Sequence, residues 1–411
     1  MRHRVRSENR SMSPRSLVVT VLVASCLGFG FAAAATYDFA AHLDRQVHNL
    51  HCSFIPGLAS SSPTGSEGCH LTLMSPYSSL FRRTLWGGLP VSVLAMSIFA
   101  AIAALTGMML LLRAEEERNA LATLLLLGSI PVAASLVMGS IAAFKLHAAC
   151  KQCIGIYIAS AIVGIGALVA HTQATNARRK RPNGEFARLW FLSLPLAAAL
   201  VVVLTTSYVL AMPSYEKSTR GCGTLAPGDT THDVFVHLSA PEPGAHKALE
   251  IFDPLCPACK AFEERLHASG LDKQLQRELL LFPLDKSCNW MVEETLHPGA
   301  CTVSAAILCA GADAKTVMDW AFAEQRELET RSKSDKDAAT HMLGERFPKL
   351  KECMSSALTR QRLSQGLRWA VRNRVPVLTP QLYVDGQRLC DEDTDLGLEY
   401  TLARMLKGTA P

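Results

Sequence analysis

The first half of the chain reads as long apolar blocks separated by short polar gaps. Crossing a bilayer takes about 20 apolar residues at roughly 1.5 Å of rise each. Five stretches meet that length: 17–35, 88–112, 120–143, 150–170 and 189–211. Beyond about residue 212 the pattern breaks into shorter pieces divided by Pro and Gly, as in an ordinary globular domain. Ala248–Phe252 reads as a buried strand, and the run from Cys256 through about His267 as a helix. Val377–Gln387 reads as a proline, a short strand and an Asp385-Gly386 hairpin turn. The stretch between Ser287 and Trp369 is mostly helical in pattern.

At 411 residues the chain has room for two or three domains. Its net charge of +5 is unevenly placed. Arg2, Arg4, Arg6, Arg10 and Arg15 precede the first apolar block, and Arg178, Arg179, Lys180, Arg181 and Arg188 lie between the fourth and fifth. The positive-inside rule puts both clusters in the cytoplasm, so the chain starts inside and ends outside. The gap 113–119 also falls inside and is nearly neutral, with Arg113 and Arg118 against Glu115, Glu116 and Glu117. The basic clusters therefore serve topology, and no nucleic-acid partner is expected. A cleavable signal peptide is the rival reading of residues 1–35, but the apolar run is longer than the ~7–15 residues of such peptides. An uncleaved first helix is the favoured reading.

The thirteen cysteines change the picture most. Apart from Cys26, in the middle of the first block, all map to the outer side or the outer end of a helix, where disulfides persist. Cys150-Lys151-Gln152-Cys153 opens the fourth block. Residues three apart on a helix share a face about one turn, ~4.5 Å, apart along the axis. Cys150 then faces the outer surface and Cys153 sits deeper, toward lipid and any carrier dissolved in it. The helix N-terminus and Lys151 both favour a thiolate. Cys52 and Cys69 lie on a turn-rich outer loop, either as a mobile shuttle or as a static loop-closing disulfide. Zinc is not expected, because the two Cys-x-x-Cys pairs are far apart on different domains, and neither is followed by the His of a haem attachment motif.

In the soluble half, Cys256-Pro257-Ala258-Cys259 follows a strand and opens a helix, the setting of a reactive thiolate. Pro380 has two readings, the start of an edge strand or a cis-proline holding a loop against that dithiol. Cys222, Cys288, Cys301, Cys309, Cys353 and Cys390 are even in number and leave several connectivities open. Cys288–Cys301 around a Pro-Gly turn, Cys309–Cys353 across helices and, by elimination, Cys222–Cys390 are the expected pairs. No phosphate loop, metal triad or Ser/His/Asp pattern is present, and the scattered histidines read as surface residues.

Cys52, Cys69, Ser75-Pro76-Tyr77-Ser78, Gly88-Leu89-Pro90-Val91-Ser92 and Cys150-x-x-Cys153 together resemble the vitamin K epoxide reductase family over roughly residues 17–171. The resemblance implies a transmembrane four-helix bundle around a quinone, ubiquinone or menaquinone, with no metal. It implies that Cys153 reduces the quinone, that Cys150 is its partner, that Cys52 and Cys69 form the loop shuttle, and that Ser75 lies near the quinone head group. The chain departs from the family in the sixteen residues separating Cys52 from Cys69, and in Ala95 where glycine is common. Leu249-Glu250-Ile251-Phe252, Cys256-Pro257-Ala258-Cys259 and Thr379-Pro380 resemble the DsbA-like branch of the thioredoxin fold over about 245–411. That resemblance implies an inserted helical subdomain, a cis Pro380, exchange at Cys256, and proton transfer assisted by Glu250. An ordinary strand carboxylate is the other reading of Glu250.

The expected organisation is a basic tail (1–16), a membrane bundle (17–171), a cytoplasmic loop with a fifth connecting helix (172–212) and an α/β thioredoxin-like domain (213–411). The expected activity is a multi-pass plasma (inner) membrane enzyme that oxidises exported proteins with free cysteines and passes the electrons to a quinone in the membrane lipid. Two readings compete with it. One is a quinone-independent reductase or isomerase relay, which needs an inner-side thiol that the sequence does not show. The other is a non-enzymatic membrane-anchored binding or chaperone module with static cysteine pairs.

Overall fold

The computed structural model describes residues 13–43, 72–73, 75–146, 150–176, 184–212, 222–225, 234–238, 244–390 and 394–407. Cys52, Cys69 and both basic clusters except Arg15 and Arg188 lie outside the described residues. The chain divides into two compact units, one of residues 1–80 and 89–213, the other of 81–88 and 214–411.

The first unit is a helical bundle of α1 (Pro14–Leu43), α2 (Val91–Leu111), α3 (Arg118–Ile141), α4 (Lys151–Asn176) and α5 (Gly184–Ala211). Helix α1 packs on α2 and α4, α3 packs on α4, and α5 packs on α2. Val18, Val21, Phe99, Ile102, Leu121, Leu124 and Val163 form the shared core. Apolar side chains also cover the outside, among them Val23, Leu27, Leu136, Ile158, Ile165 and Val202. A soluble bundle would carry polar residues there, whereas a lipid-facing one has no reason to. α1 runs eight residues past the predicted end at 35, so Tyr37 and Asp38 are helical. α3 gives way to one π-helical turn, Ala142–Leu146, before the chain re-enters at Cys150. Close helix approach depends on small residues, since membrane helices gain little from hydrophobic burial against one another. At Gly155 of α4 an added Cβ would lie 2.8 Å from the Phe31 ring on α1.

The second unit contains a five-stranded sheet of β3 (Val236–His237), β4 (His246–Phe252), β5 (Leu275–Leu281), β6 (Gln381–Val384) and β7 (Gln387–Arg388); β1 (Ser79–Leu80) and β2 (Leu89–Pro90) pair separately, in the first unit. Strand order is β3-β5-β4-β6-β7, with only β4 and β5 parallel. The β4–β5 crossover carries α6 (Pro257–Ser269). Between β5 and β6 lies a helical insertion: α7 (Ala300–Ala310), α8 (Ala314–Ala323), α9 (Gln325–Ser334), α10 (Ala338–Arg346), α11 (Lys351–Ser355) and α12 (Ala357–Arg372); α13 (Leu398–Met405) follows β7. Phe262 and Leu266 of α6 and Leu398 and Leu402 of α13 pack against Ala248, Leu275 and Leu382 of the sheet. Ile251, Leu280 and Tyr383 join Leu367, Trp369 and Ala370 of α12 in a second core. This is the thioredoxin fold with an inserted helical layer. The Asp385-Gly386 turn closes the β6–β7 hairpin with φ of 50° and 83°, values that suit Asp and Gly.

One further run, Ala300–Ala323, is apolar and long enough to cross a membrane by composition alone. It is instead two helices broken at Gly311, and Val303, Ala306, Ile307, Val317, Met318 and Ala321 fill the core of the insertion. All three expected disulfides are present: Cys222–Cys390, Cys288–Cys301 and Cys309–Cys353.

Candidate redox sites

β4 delivers the chain to a tight turn, Asp253-Pro254-Leu255, in which the Leu255 amide donates to Asp253 Oδ1 at 2.7 Å. Cys256 then stands at the N-cap of α6 in extended conformation, with Pro257 at the first helical position, where a missing N–H costs nothing. Both thiols are free and buried, and Cys259, one turn in, is fully so. The Cys256 sulfur lies 3.8 Å from the carbonyl oxygen of Thr379, whose peptide bond to Pro380 is cis. β6, which begins right after Pro380, lies between β4 and β7 and is not an edge strand.

The two sulfurs have opposite acidities. A hydrogen bond from the Cys259 thiol lowers the Cys256 pKa to about 6, helped by Thr379 and the Cys259 amide and opposed by burial and Asp253. Burial pushes Cys259 well above an ordinary thiol, and the neighbouring Cys256 adds to the rise. Near neutral pH the pair therefore holds one thiolate, on Cys256, and one thiol, on Cys259. That is the charge state of a dithiol ready for exchange.

Glu250 sits on β4 below this turn and is buried. It is not a solitary carboxylate. Arg277 of β5 donates from Nε and Nη2 to its two oxygens at 2.6 and 2.9 Å, and also from Nη1 to Glu263 of α6 at 3.1 Å. Burial raises the Glu250 pKa, and Arg277 opposes the rise. Nothing in the sequence marks Arg277 or Glu263 as partners of Glu250. The histidines are expected on the surface, but His297 lies mostly buried with Nδ1 2.8 Å from Asp253 Oδ2.

In the first unit, Cys150 is buried immediately before α4, and its sulfur accepts the Cys153 amide at 3.3 Å. Cys153, in the first turn, is half-buried. Between them Gln152 donates to Asp38 Oδ2 at 2.6 Å, tying the start of α4 to the end of α1. One turn beyond Cys153, Tyr157 lines a pocket of about 370 Å³ together with Val132, Ser135, Gly139, Phe144 and Ser160. The Ser135 and Ser160 hydroxyls are 2.9 Å apart. Ser75 is buried in the turn before β1, where its hydroxyl accepts the Tyr77 amide at 3.4 Å, and it is not among the residues lining this pocket. No signal in the sequence marked Tyr157 beyond its place one turn after Cys153. Among the described residues, no group of three or more His, Cys, Asp or Glu side chains is placed to hold a metal ion.

Residues 19–168 match the Vitamin K epoxide reductase family. No curated protein matches the chain. Two solved structures are similar to it: the oxidoreductase NmDsbA1 from N. meningitidis, 15% identical over 43% of this chain and 91% of that one with a TM-score of 0.30, and the oxidoreductase DsbA from Xylella fastidiosa, 18% identical over 42% and 95% with a TM-score of 0.30.

Proposed function

We propose, from a segment 19–168 that belongs to the vitamin K epoxide reductase family and a thioredoxin-fold unit in the same membrane thiol-disulfide oxidoreductase, that the chain oxidises dithiols of exported proteins and delivers the electrons to a membrane quinone. The observation that carries this reading is the repeated geometry. Each Cys-x-x-Cys pair stands at the start of a helix with its first sulfur at the helix opening.

A substrate thiolate attacks the Cys256 sulfur of the Cys256–Cys259 disulfide, and Cys259 leaves. The second substrate thiolate then attacks the substrate sulfur of the mixed disulfide, which forms the substrate disulfide and expels Cys256. Two electrons now rest on the pair, with one proton on Cys259 near neutral pH and the other released to solvent. The same exchange carries the electrons to Cys52 and Cys69 and on to Cys150 and Cys153. Cys150 and Cys153 would give up those electrons as they close to a disulfide, and a bound quinone would supply the two-electron acceptor. A pocket lined by Tyr157, one turn beyond Cys153, supports this reading: its size falls in the range of small-molecule sites, which begin at roughly 300 Å³, and its lining is mostly apolar. Glu250 assists proton transfer at the soluble pair and Pro380 holds its loop against Cys256. The family resemblance also implies that Ser75 lies near the quinone head group, although it does not line this pocket.

The N-terminal tail and the Arg178–Arg181 gap are cytoplasmic in this reading, and the thioredoxin-fold unit is on the outer side of the plasma membrane. The test is the in-cell redox state of Cys256–Cys259, read by alkylation mass shift. The pair is expected oxidised in the wild type and accumulating reduced in Cys153→Ala. A pair reduced in the wild type that turns oxidised in Cys153→Ala would reverse the electron flow. Identical states in both would disconnect the two pairs.

A further inference from the structure

The Cys288–Cys301 disulfide closes the loop that follows β5, and its sulfurs have polar company. The exposed Ser287 hydroxyl donates to the Cys301 sulfur at 3.1 Å. The Asp285 carbonyl oxygen stands 3.4 Å from the Cys301 sulfur and 3.9 Å from that of Cys288. A disulfide has no proton to give that oxygen, whereas a reduced pair does. A donor for a thiolate and an acceptor for a thiol are therefore already in place. At Cys309–Cys353 the corresponding hydroxyl is spent: Thr359 Oγ1 lies 3.4 Å from both sulfurs but donates its one proton to the Cys353 carbonyl at 2.8 Å. At Cys222–Cys390 one partner, Cys390, is closed off by burial. Cys288–Cys301 is also the bond its loop can most easily do without. Its cysteines are 13 positions apart, against 44 and 168 for the other pairs, so in the chain-entropy picture it constrains the unfolded chain least. Hydrogen bonds hold the same loop independently. The buried Asp285 carboxylate accepts the Ser287 amide at 3.0 Å and the Gly299 amide at 3.1 Å, which ties the two ends together. The Leu296 amide donates to the Leu284 oxygen at 2.9 Å, and buried Asn289 donates from Nδ2 to the Pro283 oxygen at 2.8 Å. Opening the disulfide leaves these bonds in place and the cysteines near enough to close again.

We propose that Cys288–Cys301 is a further exchange site of the thioredoxin-fold unit, opened by a small monothiol that attacks Cys288. Both cysteines are half-buried, which admits a small thiol more readily than a folded protein. A bond forms between the incoming sulfur and Cys288, the Cys288–Cys301 bond breaks, and the electron pair leaves on Cys301 as a thiolate. The Ser287 hydroxyl donates to that thiolate, and a hydrogen bond to a charged acceptor is roughly twice as strong as one to a neutral acceptor. A second monothiol then attacks the external sulfur of the mixed disulfide and expels Cys288. The two monothiols end as a disulfide, their two electrons reduce the pair, and their two protons pass through solvent to Cys288 and Cys301. Exchange here needs neither Cys256 nor a quinone.

The test treats the full oxidised chain in lipid nanodiscs with excess reduced glutathione, stops exchange with acid at intervals, and reads each cysteine peptide by mass spectrometry after alkylation. Cys288–Cys301 is expected to open while Cys222–Cys390 and Cys309–Cys353 stay closed, with glutathione carried on Cys288 and not on Cys301. Ser287→Ala is expected to slow the opening roughly tenfold, and Ser287→Thr, which keeps the hydroxyl, to open at the wild-type rate. Ser287 is exposed, so the alanine variant removes the hydrogen bond without disturbing the core. A Cys288–Cys301 bond that stays closed, or that opens only together with the other two, overturns the proposal. Equal opening rates in wild type and Ser287→Ala overturn it as well, and so does glutathione found first on Cys301.

Discussion

Cys256 and Cys259 are one helical turn apart, but what surrounds each sulfur differs. Cys256 stands at a helix opening with its sulfur 3.8 Å from the Thr379 carbonyl oxygen, while Cys259 is closed in by Phe252, Leu255 and the insertion helices. The consequence reaches measurable pH behaviour. A thiol whose folded pKa is depressed to about 6 from the ordinary 9.0 stabilises the reduced form fully above pH 9. That contribution is lost as pH falls through 6. Cys259 is raised, so it keeps its proton throughout this window. Reduction of the disulfide therefore takes up two protons below pH 6 and one between 6 and 9. For a two-electron couple each proton is worth about 30 mV per pH unit. The reduction potential of Cys256–Cys259 is expected to fall by about 59 mV per unit below pH 6 and about 30 mV per unit above it. Glutathione equilibration of the full chain, read by differential alkylation of the two peptides, gives the slopes. One uniform slope from pH 5 to 8 would refute the assigned ionisation.

At the scale of elements, one arginine joins three. Arg277 of β5 holds Glu250 of β4 and Glu263 of α6, and Lys315 of α8 reaches Glu263 at 3.9 Å. Removing one member of a buried charge set leaves the others uncompensated, at a cost of about 3–5 kcal/mol. Arg277→Met is therefore expected to open β4 and β5 to hydrogen exchange at low denaturant, and adding Glu250→Gln and Glu263→Gln to recover most of the loss. Equal protection in wild type and Arg277→Met would show that the cluster contributes nothing. Little of this was legible beforehand. Ala248–Phe252 is apolar enough to read as a strand, but Gln276, Arg277 and Glu278 interrupt Leu275–Leu281 and hide its alternation. The helix opened by Cys256 was legible because Pro257 and the Cys-x-x-Cys spacing mark a helix start. The His297–Asp253 pair was not, since a bond across 44 positions exists only once β5 has returned the chain beside β4.

The whole molecule presents the same contrast between length and juxtaposition. Apolar runs of about 20 residues located α1 to α5, with ends off by up to eight residues, because the bilayer sets a length that composition alone can report. That criterion also selects Ala300–Ala323, where only the break at Gly311 and two disulfides reveal a soluble core. In the proposed relay both dithiols are carried in one chain. Tethering two exchanging sites gives an effective concentration that reaches the mM range for short flexible links and raises apparent coupling by 10²–10⁴ without tight docking. Cys153→Ala retains an intact soluble pair, and Cys256→Ala an intact bundle pair. If the relay runs within one chain, neither can complete it, and a one-to-one mixture in vesicles at about one chain per vesicle should oxidise a model dithiol protein at less than about a tenth of the wild-type rate. Raising the chains per vesicle should restore part of that rate as neighbours meet in the plane of the membrane. Activity near half of wild type at the lowest loading would mean that soluble and bundle pairs from separate chains exchange as readily as linked ones, and the fusion would then have to be explained by something other than proximity.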